Sequence, residues 1–272
     1  MSDCNHNCSS CASNCGERTE PQSLLKQHHV KANIGKVFGI VSGKGGVGKS
    51  MVTSQLAVTL RRMGYKVGVL DGDIMGPSIP KAFGIHEQAS GTEDGMIPAV
   101  SSTGIQVMST NLLLEHETDP VIWRGPVISG VAQQFWTDVI WDVDYLLIDM
   151  PPGTGDVTLS VFQSIPLNGV VMVTSPQELV SMVVEKTVNM ANMMHVPMLG
   201  LVENMSYVLC PDCDKKIYLF GQGKTQEAAA RHGLDVLAQM PIDPALAAVV
   251  DAGRIEDFQG NWLENVAKQL TK

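Results

Sequence analysis

Apolar residues in this chain of 272 gather in two kinds of run. Short blocks at 37–41, 65–70, 145–149, 169–174 and 198–202 are apolar at nearly every position and rich in valine, isoleucine and leucine. A strand carries apolar side chains on both sides only when both sides are covered, so these blocks read as buried strands. Longer stretches at 50–60, 127–140, 178–194 and 225–232 repeat their apolar residues at helical spacing, and 261–272 is weakly amphipathic, as a packing helix would be. The alternation predicts one α/β domain over 34–272, with a doubly wound, mostly parallel sheet flanked by helices. Residues 1–33 read as a polar tail and linker, with a short helix near 23–28.

The ends of the predicted strands carry the chemistry. After the first strand comes GKGGVGKS, residues 43–50, which fits the phosphate-loop pattern G-x-x-x-x-G-K-[ST] through Gly43, Gly48, Lys49 and Ser50. Glycines let successive N–H groups turn toward phosphate oxygens, and the helix behind adds its positive end. Lys49 is expected at the β- and γ-phosphates and Ser50 on Mg²⁺, with Gly43, Lys44, Gly45, Gly46, Val47, Gly48 and Met51 completing the nucleotide contacts.

The second strand runs into Asp71 and Asp73, at the carboxyl edge where open α/β sheets bind ligands. Asp73 is expected to orient or deprotonate the attacking water, and Asp71 to support the Mg²⁺ shell. Asp149 closes the apolar run 145–149 in the manner of a Walker B aspartate, and the Pro/Gly loop behind it offers Gly153 as a γ-phosphate sensor. Glu203 reads as strand-end polarity. Met182, Met190, Met193 and Met194 read as gap-filling core or a soft interface.

Net charge is −9 with no lysine- or arginine-rich block, which argues against a sequence-independent grip on nucleic acid. No apolar run approaches the roughly 20 residues of a membrane span, and the first residues lack a signal-peptide core. A cytoplasmic protein without membrane contact is expected.

All six cysteines fall in two groups: Cys4, Cys8, Cys11 and Cys15, then Cys210 and Cys213. Clustered thiols in a reducing compartment suit soft metals better than disulfides. Cys210 and Cys213 sit at C-x-x-C spacing and supply half of a four-thiolate shell; a redox dithiol or a partial zinc knuckle fits the same spacing. A symmetric homodimer would supply the other half. The tail cysteines offer four ligands within twelve residues among polar neighbours, for a [4Fe-4S] cluster or for zinc with His6.

The run Lys44 to Ser50 resembles the deviant Walker A loop of the MinD/ParA/nitrogenase iron protein class, in which the first lysine crosses to the partner's nucleotide. From about Lys36 onward the chain resembles the Mrp/ApbC family of P-loop iron–sulfur cluster carriers. The matching segments are GKGGVGKS, DGDIMGPS (71–78), WRGP (123–126), LLIDMPPGTGD (146–156) and VENMSYVLCPDC (202–213). The resemblance implies a slow ATPase with Lys44, Lys49 and Asp73 in catalysis, and with Mg²⁺ held by Ser50, Asp71 and Asp149. It implies adenine recognition by Asn204 with Pro241 bordering the base. It also implies a [4Fe-4S] cluster bridging two chains through Cys210 and Cys213 and passed to apo iron–sulfur proteins. The tail departs from the family's eukaryotic members, whose four-cysteine spacing is longer. Two other classes compete: a MinD/ParA-like positioning ATPase and a zinc-stabilised nucleotide-binding regulator.

Overall fold

A computed structural model describes residues 24–74, 76–114, 125–176, 180–221 and 223–272. Its centre is a nine-stranded sheet. The strands are β1 (Asn33–Val41), β2 (Val67–Asp71), β5 (Ala99–Val100), β6 (Gln106–Met108), β7 (Asp142–Asp149), β8 (Gly169–Thr174), β9 (Met198–Leu209), β10 (Lys216–Ile217) and β11 (Val236–Pro241). A separate antiparallel hairpin is formed by β3 (Ser90–Thr92) and β4 (Gly95–Ile97). The spatial order is β10-β9-β8-β1-β7-β2-β6-β5, with β11 also on β9. Only the β5–β6 and β9–β10 pairs are antiparallel in the main sheet. The expected doubly wound, mostly parallel architecture is present.

Period-two alternation sorts each apolar block onto two cores. Phe38 and Ile40 of β1, Tyr145 and Leu147 of β7 and Val202 of β9 face one side. There they meet α1 (Lys49–Arg62), α2 (Ile79–Phe83), α7 (Pro244–Asp251) and α8 (Glu264–Leu270). Val37 and Val41, Leu146 and Ile148, and Leu201 face the other, under α3 (Gly125–Thr137), α4 (Asp156–Ser164), α5 (Val180–Met193) and α6 (Thr225–Arg231). The continuous hydrophobic runs are thus two interleaved half-patterns, one per helical layer.

Two expectations need correction. Residues 24–28 form no helix; the segment lies along the body, with the Lys26 N–H donating to the Ser164 carbonyl at 2.8 Å and Trp136 Nε1 donating to the Lys26 carbonyl at 2.9 Å. Those contacts take the backbone groups that a helix would have to pair internally, and so short a segment nucleates poorly. The strand expected over 198–202 runs on to Leu209. Of the four methionines, Met190 is buried while Met182 and Met193 stand exposed on α5, so the helix carries both readings at once. The tail cysteines Cys4, Cys8, Cys11 and Cys15, with His6, lie outside the described residues, as do Trp123 and Arg124 of WRGP.

Candidate functional site

The loop between β1 and α1 is shaped by its glycines. Gly46 and Gly48 take φ of 79° and 76°, the left-handed region that side-chain-bearing residues avoid. Gly43 is required for space, since a Cβ there would stand 1.8 Å from Val183 Cγ1 of α5. A cleft of about 320 Å³ opens above the loop, within the range of small-molecule sites. Lys44, Gly45, Gly46, Val47, Gly48, Lys49, Ser50, Met51 and Asp73 line it, joined by Ser42, Ser78, Ala82, Pro152 and Val250. The lining therefore holds the expected loop residues except Gly43, lacks Gly153, and adds Ala82 of α2 and Val250 of α7, which no sequence motif covers, while Ser78 closes the segment 71–78.

Asp149 lies beneath this cleft at the end of β7, fully buried. Ser50 Oγ donates to its Oδ2 at 2.6 Å, Thr53 Oγ1 donates to its Oδ1 at 2.7 Å, and Lys49 Nζ pairs with Oδ2 at 2.7 Å. Asp71 is the registered neighbour of Asp149 on β2. Its Oδ2 accepts from Ser109 Oγ at 3.0 Å and its Oδ1 from the Asp73 N–H at 3.2 Å. Burial, then the Asp149 charge, pushes the Asp71 carboxyl up to about 7 against the pull of Lys49 and Ser109. Asp73 is half-buried, and burial raises its proton affinity too. Thr53 and Ser109 were not among the expected site residues. Thr53 had a signal, standing one helical turn after Lys49 on the same side of α1; Ser109 had none.

Behind β7, the Gly153 N–H donates to the Ser42 carbonyl at 2.7 Å, and Gly153 takes φ +86°. Thr158 Oγ1 donates to the Gly153 carbonyl at 3.2 Å. The loop expected to sense phosphate is thus tied to the start of the phosphate loop.

Asn204 and Pro241 do not line the cleft. Asn204 is wholly buried under the phosphate loop, its Nδ2 donating to the Val47 carbonyl at 2.9 Å while its Oδ1 is buried without a protein partner. Pro241 ends β11 beside Tyr207 of β9. Glu203, read as strand-end polarity, is instead buried: its Oε1 accepts from Ser206 Oγ at 2.6 Å and Gln239 Nε2 at 2.9 Å. Between these residues Met205 takes φ 56°, beside a register shift in the β9–β11 pairing.

Cys210 follows β9 directly, and 210–215 forms the tip of the β9–β10 hairpin. The Asp214 N–H donates to the Cys210 carbonyl at 2.9 Å and the Cys210 N–H to the Lys215 carbonyl at 3.0 Å. Both thiols are free, Cys210 half-buried and Cys213 exposed. The Asp212 backbone N–H, then the Cys213 thiol, lowers the Cys210 pKa and favours the thiolate that metals bind. Among the described residues, no group of three or more His, Cys, Asp or Glu is placed to hold a metal ion. Leu209 and Ile217, at the base of the hairpin tip, and Tyr218, Leu219 and Phe220, which follow β10, are exposed apolar residues. Five residues, 205–209, separate Asn204 from Cys210, roughly 20 Å for the six steps when extended.

Known proteins align with this arrangement. An iron–sulfur cluster carrier protein of Clostridium perfringens is 47% identical over 235 residues, covering 83% of this chain and 82% of its own. One from Methanocaldococcus jannaschii is 44% identical, covering 93% of this chain and 90% of its own. A nucleotide-binding protein from Archaeoglobus fulgidus, solved in complex with ADP, superposes with a TM-score of 0.77 at 43% identity, over 85% of this chain and 91% of that one. The cell-division ATPase MinD of Pyrococcus furiosus shares the fold, with a TM-score of 0.60 at 21% identity over 87% and 97% of the two chains. Since a family model described as the NUBPL iron-transfer P-loop NTPase, of the ParA group, matches residues 33–271, the chain belongs to that family.

Proposed function

We propose that this protein is an ATP-hydrolysing carrier that holds a [4Fe-4S] cluster between two copies of the chain and delivers it to apo iron–sulfur proteins. The observation that carries the reading is β9: one strand places Asn204 against the phosphate loop and Cys210 at its far end.

Lys49 and the loop amides would bind the nucleotide phosphates, with Lys44 reaching the nucleotide of the second copy. Ser50 and Asp149 suit Mg²⁺ as an adjacent hydroxyl and carboxylate, with Asp71 behind them; bound there, the ion would supply charge neutralisation on the phosphates. Asp73, in the cleft and with raised proton affinity, is suited to accept a proton from the attacking water. Adenine recognition by Asn204, with Pro241 near the base, would need the phosphate loop to shift, because the unpartnered Oδ1 is buried beneath that loop. Gly153 would report phosphate loss to the Ser42 end of the loop.

The homodimer is supported by the incomplete thiol shell and by the exposed apolar residues of the hairpin and of the segment after it, which a second copy would cover. We read residues 1–33 as a metal-binding tail whose four cysteines take a cluster or zinc, and the protein as cytoplasmic, acting without nucleic acid or membrane. No helix among the described residues is long and apolar enough to cross a membrane.

Oxygen-free reconstitution with iron and sulfide tests the reading. The full chain and a tail-deleted chain are expected to take up cluster at the C-x-x-C pair, and Cys210→Ser to lose that site. Transfer to an apo-acceptor should be slowed in Lys49→Ala and Lys44→Ala. A positioning ATPase would instead be indifferent to Cys210→Ser, and equal transfer by all variants with and without ATP would refute the coupling.

A further inference from the structure

We infer that Thr53 is a positioning residue for the site, fixing the Asp149 carboxylate so that one oxygen stays aimed at the cleft when Lys49 and Ser50 turn to ligand. The inference rests on the reading of Asp149 as the aspartate that supports Mg²⁺.

Asp149 has three partners, and they divide unevenly. Oδ2 is shared by Ser50 Oγ and Lys49 Nζ, the two groups that the phosphate-loop chemistry assigns to the metal and the phosphates. Oδ1 belongs to Thr53 Oγ1. Ligand binding draws on the Oδ2 partners and leaves Thr53 as the contact that persists. Rotation about the terminal bond of an aspartate is soft, so a carboxylate held through neither oxygen would swing. Held through Oδ1, it presents Oδ2 in a fixed direction.

The threonine is itself locked. Its Oγ1 stands 3.0 Å from the Lys49 carbonyl, one turn back on α1, as well as 2.7 Å from Asp149, and the residue is fully buried. A hydroxyl has one proton, and the shorter contact, to an ionised acceptor, takes it. Threonine on a helix has few rotamers to choose from, and the packing of its methyl narrows them further. Asp71 has the corresponding device in Ser109, so each buried carboxylate has one oxygen held by a hydroxyl from a neighbouring element. Outer partners of metal ligands of this kind carry about 10–100-fold in metal affinity or activity.

Calorimetric titration of ADP in the presence of Mg²⁺ and again in EDTA tests this on the full chain. Thr53→Val is expected to bind ADP normally in EDTA and to lose about tenfold or more of the gain that Mg²⁺ gives the unmodified protein. Thr53→Ser, which keeps the hydroxyl, should restore that gain, and in steady-state assays with Mg²⁺ Thr53→Val should raise KM for ATP in step with the lost gain, an effect that Thr53→Ser reverses. Thr53→Val should add nothing when Asp149→Ala is already present. A full Mg²⁺ gain in Thr53→Val overturns the inference, as does an equal loss in EDTA. So does failure of Thr53→Ser to restore the gain, which also decides the case if Thr53→Val does not fold. Loss of the Mg²⁺ gain in Thr53→Val but not in Asp149→Ala would instead overturn the underlying assignment of Asp149.

Discussion

At the scale of single residues, Asp71 and Asp149 stand side by side at the ends of adjacent strands, both buried, with one lysine between them and solvent. Asp71 therefore holds its proton to about 7, against 3.8 for an ordinary aspartate. Folded protein binds more protons than unfolded protein across that window, so this group's contribution to stability falls as pH rises through it. Asp71→Asn removes the dependence. Without nucleotide, its Tm should gain on that of the unmodified protein from about pH 4 to pH 7 and then hold a constant lead; a lead that shrinks over the window would contradict the assignment. Gly43 offers a steric test. Gly43→Ala places a methyl against Val183 and should cost about 1–3 kcal/mol in urea denaturation and weaken ADP binding. Gly45→Ala, whose methyl meets Pro152 Cγ at 4.0 Å, should leave the urea midpoint unchanged. The glycines, Lys49, Ser50 and Asp149 were legible in the sequence because strand, loop and helix appear in order around them. Thr53 had only its place one turn after Lys49 to mark it and Ser109 had nothing, because a hydroxyl in a helix or at a strand end has many ordinary uses and only the third dimension brings it to a carboxylate. Glu203 was misread for the same reason: Gln239 meets it only when β9 and β11 pair, and Ser206 only across the bend at Met205 within β9.

Elements were legible where one chemical rule set both ends. The core strands and the long helices were, but β9 was cut short in the sequence because Glu203 and Asn204 interrupt its apolar run. The strand runs on through them, with Asn204 Nδ2 donating to the phosphate loop and Glu203 Oε1 accepting from β11. The small strands β3 to β6 are too short for a period to show, and the short helices α2 and α7 are apolar at nearly every position, which hides one. Helix α5 closes with His195 in the left-handed region at φ 55°, the Val196 N–H donating to the Ala191 carbonyl and the His195 N–H to the Asn192 carbonyl. That is the arrangement glycine serves best, so His195→Gly should raise stability by about 1 kcal/mol in urea melts. Met205, left-handed at φ 56° within β9, should respond in the same sense: Met205→Gly tolerated, Met205→Val destabilising because a branched Cβ resists positive φ. Equal melts for the two variants would count against the bend as drawn.

On the scale of the whole molecule, the sorting of apolar blocks onto two helical layers was readable from alternation alone. The meeting of the cysteine hairpin with apolar neighbours was not, since Leu209 and Ile217 come together by the pairing of β9 with β10. If that surface is covered by a second copy around a shared cluster, iron- and sulfide-loaded chain should sediment as a dimer. Treatment with an iron chelator should return it to monomer, and Cys213→Ser should never leave the monomer. A dimer that survives metal removal unchanged would place the contact elsewhere. β9 also constrains how such chains can vary. Because side chains alternate across a strand, adding or deleting one residue between Ser206 and Leu209 would turn the first thiol to the opposite face of the ribbon, whereas a change of two would only lengthen or shorten it. The interval from the asparagine to the first cysteine is therefore subject to a parity rule, and proteins that keep both residues at work should differ in that interval by even numbers.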